Sequence, residues 1–437
     1  MRITQNHGFI QFRYNTCDQT NQTDLPGTPD EYSHTTIGAE VAMNSEKIQA
    51  WCAHKQGLDG LLKNASPADV LIRAGWARSV GGSCPYLTLF SRAGLTRSSA
   101  DQAVVDLEIY EIPAARNCTY VVPAADFALG LKVGQNFLGG DFKTALKLGA
   151  TAKELDRLCD KVADALTNAT LGPDEIKDYV GSAIRHFGDE GKKRGMTNSL
   201  GIALGRLQAH GEIRRVPING RLDQQRYQYT SWKPNPLDGI SLSDDEAFEE
   251  LARRYFKWIG PATLAEFQWF SGLGVKAAKA AIAPLKLVPF EDECERLLFN
   301  EDLNAFHAFR PPAKVRYSLV SSIDSMLLLR RDFRSLLASG AESRSAVANK
   351  LLVSLGGVAD LPSHAILANG QLAGLWEFDP ETESIAWCAF TTPAKAMGKA
   401  VKETESFVRD QLGDVRAFSL DSPKSRAPRI AALREIS

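Results

Sequence analysis

Apolar residues recur at helical spacing through most of this chain, in short runs cut by glycine and proline. Ser66-Pro67 supplies an N-cap and a first-turn proline for a helix expected through Ser79 and stopped by Gly81-Gly82. Pro85 starts a second helix, PYLTLFSR, ended by Gly94, and Thr96 caps a third, TRSSADQAVVD. Extended residues follow in EIYEIPAARNCTYVVP, then a helix in ADFALGLKVG. Helices followed by a short strand pair are the order of a winged-helix unit.

The order recurs. TAKELDRLCDKVADAL and LGPDEIKDYVGSAI read as helices, and TNSLGIALGRLQAHG as a third, capped by Thr197 and closed by Gly211. EIRRVPI and LDQQRYQYTSW then flank Asn219-Gly220, a strong hairpin signal. A third copy runs DDEAFEELARRYFKWIG, PATLAEFQWFS and GVKAAKAAIAPL, with KLVPFEDE opening a shorter wing. Past about residue 305, HAILANGQLAGLWEFDPETESIAWCAF gives strands parted by Asn369-Gly370 and Asp379-Pro380, before an amphipathic helix in KAMGKAVKETESFVRDQLG. Residues 1–42 lack either period and are expected to be poorly ordered or an upstream extension, with Met43 opening the helical patterning. The expected fold class is therefore α+β and helix-rich. Winged-helix modules are expected at 43–145, 146–240 and 241–304, and a C-terminal α/β domain with a β-rich sheet at 305–437.

Composition narrows the choices. With 437 residues, 44% hydrophobic and 24% charged, the chain is an ordinary globular one of several domains. Its seven cysteines are scattered without CxxC or metal-ligand spacing, so reduced thiols and no metal are expected. No apolar run approaches the roughly 20 residues that span a bilayer, and no signal peptide is evident, so a cytoplasmic protein, nucleoid-associated if bacterial, is expected. Walker-type loops, a nucleophile elbow and HExxH are absent, and KVGQNFLGG is too short to imply nucleotide binding; no cofactor is expected.

The formal net charge is -1, so affinity for a polyanion requires a local patch. Lys192, Lys193, Arg194, Arg206, Arg214, Arg215, Arg221, Arg226 and Lys233 stand against Glu212 and Asp223 alone, nine basic residues to two acidic. The first three precede a helix start where main-chain N–H groups favour an anion, and Thr197 and Asn198 add donors there. A solvated basic face is the competing reading. In WIGPATLAEFQWFSGLGVKAAKAAI the second helix offers only Lys276 and Lys279 as phosphate contacts and no base-reading arginine, asparagine or glutamine. Its aromatics, Trp258, Phe267, Trp269 and Phe270, fit a core better than a base-stacking platform.

ARRYFKWIGPATLAEFQWFSGL and GQLAGLWEF resemble the winged-helix family of crosslink-repair DNA glycosylases, AlkZ-like or YcaQ-like, from about Ile48 onward. AARNCTYVVPAADF is similar to a further family segment in which Arg116 and Pro123 keep their spacing, while Cys118 and Tyr120 replace a threonine and a histidine. The resemblance implies a monomer with tandem winged helices around a DNA channel that excises alkylated or crosslinked bases without a metal. Arg116 joins the expected DNA contacts on this basis. Alkylation places positive charge on the purine, so the enzyme mainly orients water and stabilises an oxocarbenium-like centre. The family does so with a Gln-x-Gln or Gln-x-Asp-like motif. The matching segment here, WARSVGGSCPYLTLFSRAG, has no glutamine; Ser79 or Ser83 is the candidate to hold water, and Asp324 falls near a family acidic residue. The competing roles are a turn residue for Ser83 and a helix cap for Asp324. The expected partner is double-stranded DNA, damaged in the enzyme reading. A non-catalytic damage sensor or regulator is the alternative, and a protein-interaction scaffold a third.

Overall fold

The computed structural model describes residues 34–436 except 224–225, 339 and 349–350, with side chains from Ser45 onward other than those of Asn117 and Ile436. Helix α1, His34–Lys55, begins upstream of Met43; residues 1–33 of the expected extension lie outside the described residues. Ser66 caps α2, Pro67–Ala74, in a reciprocal box with Asp69. This helix ends earlier than its periodicity suggests. Gly75 takes φ 89°, Trp76 turns into the core, and Ala77–Arg78 form strand β1 because they pair with a strand far along the chain. Helices α3, Cys84–Ala93, and α4, Arg97–Val105, precede β2, Ile109–Pro113, and β3, Thr119–Pro123. The antiparallel order β1-β3-β2 sets Ala77 beside Val121 and Val121 beside Glu111.

Helices α5, Phe127–Gln135, and α6, Gly139–Lys147, lead to α7, Ala152–Ala165, capped by Thr151 and Glu154. Next come α8, Pro173–Val180, α9, Gly188–Lys193, and α10, Leu200–Ala209. Thr197 does not cap α10. The Asn198 side chain accepts from Leu200 N at 3.0 Å, while Ser199 Oγ is occupied by Arg185 N. Strands β4, Ile213–Pro217, and β5, Tyr227–Ser231, pair antiparallel, but residues 218–226 separate them instead of a tight Asn-Gly turn. That loop is long because Leu222 is drawn into the main core, where its N–H meets the Tyr86 hydroxyl at 2.9 Å.

Ser243 and Glu246 cap α11, Asp244–Ile259, and Thr263 and Glu266 cap α12, Leu264–Ser271; α13, Val275–Ile282, follows the left-handed Gly272. Strands β6, Val288–Pro289, and β7, Leu297–Leu298, then α14, Asn300–Ala308, complete this stretch. Trp258, Phe267 and Phe270 are buried beside Trp76, Tyr120 and Tyr255.

The C-terminal stretch adds β8, Tyr317–Val320, the short helix α15, Ser325–Leu328, and a hairpin of β9, Ser345–Ala348, with β10, Leu351–Ser354. Strands β11, His364–Ala368, β12, Gln371–Asp379, and β13, Ser384–Ala389, form an antiparallel sheet in the order β13-β12-β11-β8. Among the described residues, the named strands of this stretch all pair antiparallel, whereas the expected α/β domain would be built on parallel crossovers. Helix α16, Lys395–Phe407, and α17, Pro423–Ile436, pack near it. Ile366, Trp376 and Phe378 of this sheet share one apolar core with Val70, Trp76 and Phe270.

Candidate nucleic-acid interface and excision site

The basic window 192–233 is largely neutralised by carboxylates that lie mostly outside it. Lys192 meets Asp189 at 3.2 Å and Lys193 meets Glu190 at 2.6 Å, both across one helical turn. Arg206 reaches Asp156 on α7 at 2.5 Å. Arg215 pairs with Glu111, and Arg221 grips Asp223 through two nitrogens while donating to the Leu412 carbonyl at 2.9 Å. Arg214 donates to the Tyr110 hydroxyl at 2.7 Å and lies over that ring. Among the described residues, Arg194, Arg226, Lys233, Lys276 and Lys279 hold no carboxylate; Arg194, Arg226 and both α13 lysines are exposed, as is Thr197. Asn198 is spent on the start of α10. The basic signal was real as composition, yet the fold redistributes it.

The three catalytic candidates do not converge. Asp324 is fully buried, caps α15 by accepting from Met326 N, and takes two nitrogens of the equally buried Arg92 at 2.8 and 2.9 Å. Ser83 is buried at the start of α3, where its N–H donates to the Arg416 carbonyl at 3.0 Å and its hydroxyl to the Asp414 carbonyl at 3.3 Å. Gly82 packs so closely there that a Cβ would stand 2.4 Å from the Ala417 carbonyl oxygen. Residues 412–419 thus form a strap across the 80–83 turn and the 221–223 loop, since Ser419 N also donates to the Val80 carbonyl and Arg416 to that of Asp223.

Ser79 has a partner that sequence inspection missed. Its hydroxyl donates to Glu111 Oε2 at 2.5 Å, and the Tyr227 hydroxyl reaches the same oxygen at 3.4 Å. Arg215 pairs with the other oxygen and lies over the Tyr227 ring at 4.6 Å. Burial, with Glu111 close by, pushes the Tyr227 phenol up, so it stays a donor. A cavity of about 10 Å³ opens beside Tyr110, Glu111, Arg215 and Tyr227, about enough for one water. Glu111 faces Ser79 because Glu111, Val121 and Ala77 share one register row, and Ser79, two residues past Ala77, keeps the same face of the extended chain. The only sequence signal was a carboxylate breaking an apolar strand, EIYEIP.

Arg116 lies apart from that pair, at the β2–β3 connection, with its guanidinium 4.2 Å from the centre of the half-buried Trp269 ring. Arg78 lies 5.2 Å over Tyr120, whose phenol burial pushes up to about 12. Among the described residues, no three His, Cys, Asp or Glu side chains group to hold a metal.

Small helical units with paired strands thus lead into an antiparallel C-terminal sheet. The fold is similar to that of Streptomyces sahachiroi DNA glycosylase AlkZ, with a TM-score of 0.63 and 20% identity over 85% of this chain and 98% of that one. No protein of curated function matches the sequence. The family model for DNA glycosylase AlkZ-like matches residues 81–418, and the chain belongs to that family. The match covers Ser83, Glu111, Arg116 and Asp324 and opens just past Ser79.

Proposed function

We propose that the protein binds double-stranded DNA as a monomer through three winged-helix units and excises alkylated or crosslinked bases by N-glycosidic hydrolysis. Membership of the AlkZ-like family supports the DNA glycosylase-like part of this reading. The three successive arrangements of helices followed by paired strands, at β2–β3, β4–β5 and β6–β7, support the winged-helix part. The observation that carries the chemistry is the hydroxyl–carboxylate pair of Ser79, in the segment that stands for the family's catalytic motif, and Glu111 on β2. A carboxylate beside a cationic, alkylated purine stabilises positive charge growing on the sugar, and the adjacent hydroxyl orients water. Arg194, Arg226, Lys276 and Lys279 supply phosphate contacts, with no metal or cofactor in the scheme.

The burial of Ser79, Ser83 and Asp324, each no more than 2% exposed, favours a second reading, a non-catalytic DNA-binding protein. Duplex DNA carrying N7-methylguanine or an interstrand crosslink separates the two. The enzyme reading expects released base and an abasic strand, with release falling at least tenfold in Glu111→Gln. Binding without release above the uncatalysed rate decides for the reader.

A further inference from the structure

The β2–β3 connection presents an arginine held in a form that its internal contacts do not use. Arg116 has φ 58° and ψ 28°, the left-handed region where a residue with a side chain is strained and must be held by its surroundings. Its holder is α12. The guanidinium lies on the Trp269 indole, and Gly272, at φ 77°, leaves room for the stem: a Cβ there would stand 2.9 Å from Arg116 Cγ. Arg331, likewise at positive φ, lies 5.3 Å over the same indole, but Asp360 takes its charge at 2.7 Å. Arg78, near Tyr120 as Arg116 is, donates to the Thr119 carbonyl at 2.7 Å. Among the described residues, no carboxylate pairs with Arg116 or Arg78, whereas Arg92, Arg215, Arg426 and Arg429 each hold one.

We propose that Arg116, laid on Trp269 and seconded by Arg78, is a clamp for a phosphodiester of the DNA backbone. The inference rests on the DNA-binding reading above and names a subsite within it. Stacking fixes the guanidinium plane and settles its rotamer before the ligand arrives, while the N–H edge stays available for two parallel bonds to phosphate oxygens. A guanidinium already covers the indole, so Trp269 acts as a positioning residue for Arg116 and not as a stacking surface for a base. A chain of net charge -1 gains little from its overall field, so an unpaired, pre-set cation selects its anion locally.

The test is fluorescence anisotropy of a labelled, undamaged duplex titrated with the full chain across a salt series. Arg116→Ala is expected to weaken binding about tenfold and to reduce the log-log salt slope by about 1. Trp269→Leu and Arg116→Lys, which keep the charge but lose the stacked plane, are expected to weaken binding severalfold at an unchanged slope. Lys399→Ala, removing an exposed charge on α16 that pairs with Glu403, serves as the control and is expected to bind as the parent does. Thermal melting confirms folding; should Arg116→Ala not fold, the other two variants decide. Wild-type affinity and slope in every folded variant, with the parent binding DNA, overturn the clamp. A parent that does not bind DNA overturns the reading beneath it as well.

Discussion

Arg206, Arg215 and Arg221 each hold a carboxylate, whereas Arg116, Arg194 and Arg226 hold none among the described residues. Exposed pairs such as Lys192 with Asp189 contribute about 0–1 kcal/mol, so their loss would scarcely be felt. Buried ionisable groups are different. His364 is almost fully buried against Trp376 and accepts from Ser322 N at 3.0 Å. Burial lowers its pKa to about 3, outweighing the nearby Asp421, while Arg429 and Arg426 press the same way as burial. The ring is thus neutral when folded but titrates near 6.5 when unfolded, so the unfolded chain binds the extra proton between those values. Its contribution is complete above about pH 6.5 and is lost as pH falls towards 3. Urea unfolding at pH 7 and pH 5 is expected to show about 2 kcal/mol lost from this residue. In His364→Asn, which keeps an acceptor for Ser322, that part of the pH dependence is expected to vanish; an unchanged pH profile would contradict it.

At the scale of elements, the caps at Ser66 and Thr96 were legible, the one expected at Thr197 is not formed, and long-range strands were not legible. Thr96, Thr151, Ser243 and Thr263 each accept from the N–H three residues on, as their spacing to the following helix implies. β1 could not be read locally, because two residues become a strand only through β3, and periodicity carried the helix past Gly75. The 218–226 loop was similarly hidden, since Asn219-Gly220 describes a tight turn while Leu222 answers to a distant core. The strap over Gly82 gives this scale its prediction. Gly82→Ala forces a methyl against the carbonyls of Arg416 and Ala417 and is expected to cost about 1–3 kcal/mol in chemical unfolding. An unaltered midpoint would mean that the strap yields freely.

For the whole molecule, the shared core from Val70 to Val415 predicts that distant stretches unfold together. Arg92 of α3 and Asp324 before α15 tie them where both side chains are fully buried. Asp324→Ala strands the guanidinium and is expected to cost about 3–5 kcal/mol, seen as one transition at lower denaturant. A loss below about 1 kcal/mol would contradict this account. Family membership was legible in the aromatic signature around α12 because those residues build the core. Most of the site was not legible. Glu111 meets Ser79 only through sheet register, and the partners that neutralise the basic window come largely from outside it.

The strap also sets an order in time. Ser83 and Asp414 are 331 positions apart, and at roughly 5–20 residues per second that interval of synthesis lasts on the order of tens of seconds. Until it passes, the 80–83 turn leaves the ribosome without the carbonyls that receive it, and the first sheet waits with its neighbouring loop unseated. A nascent chain therefore completes the surroundings of Ser83 only after residue 419 has been made, so that a product truncated before that point carries the sequence of the turn without its architecture.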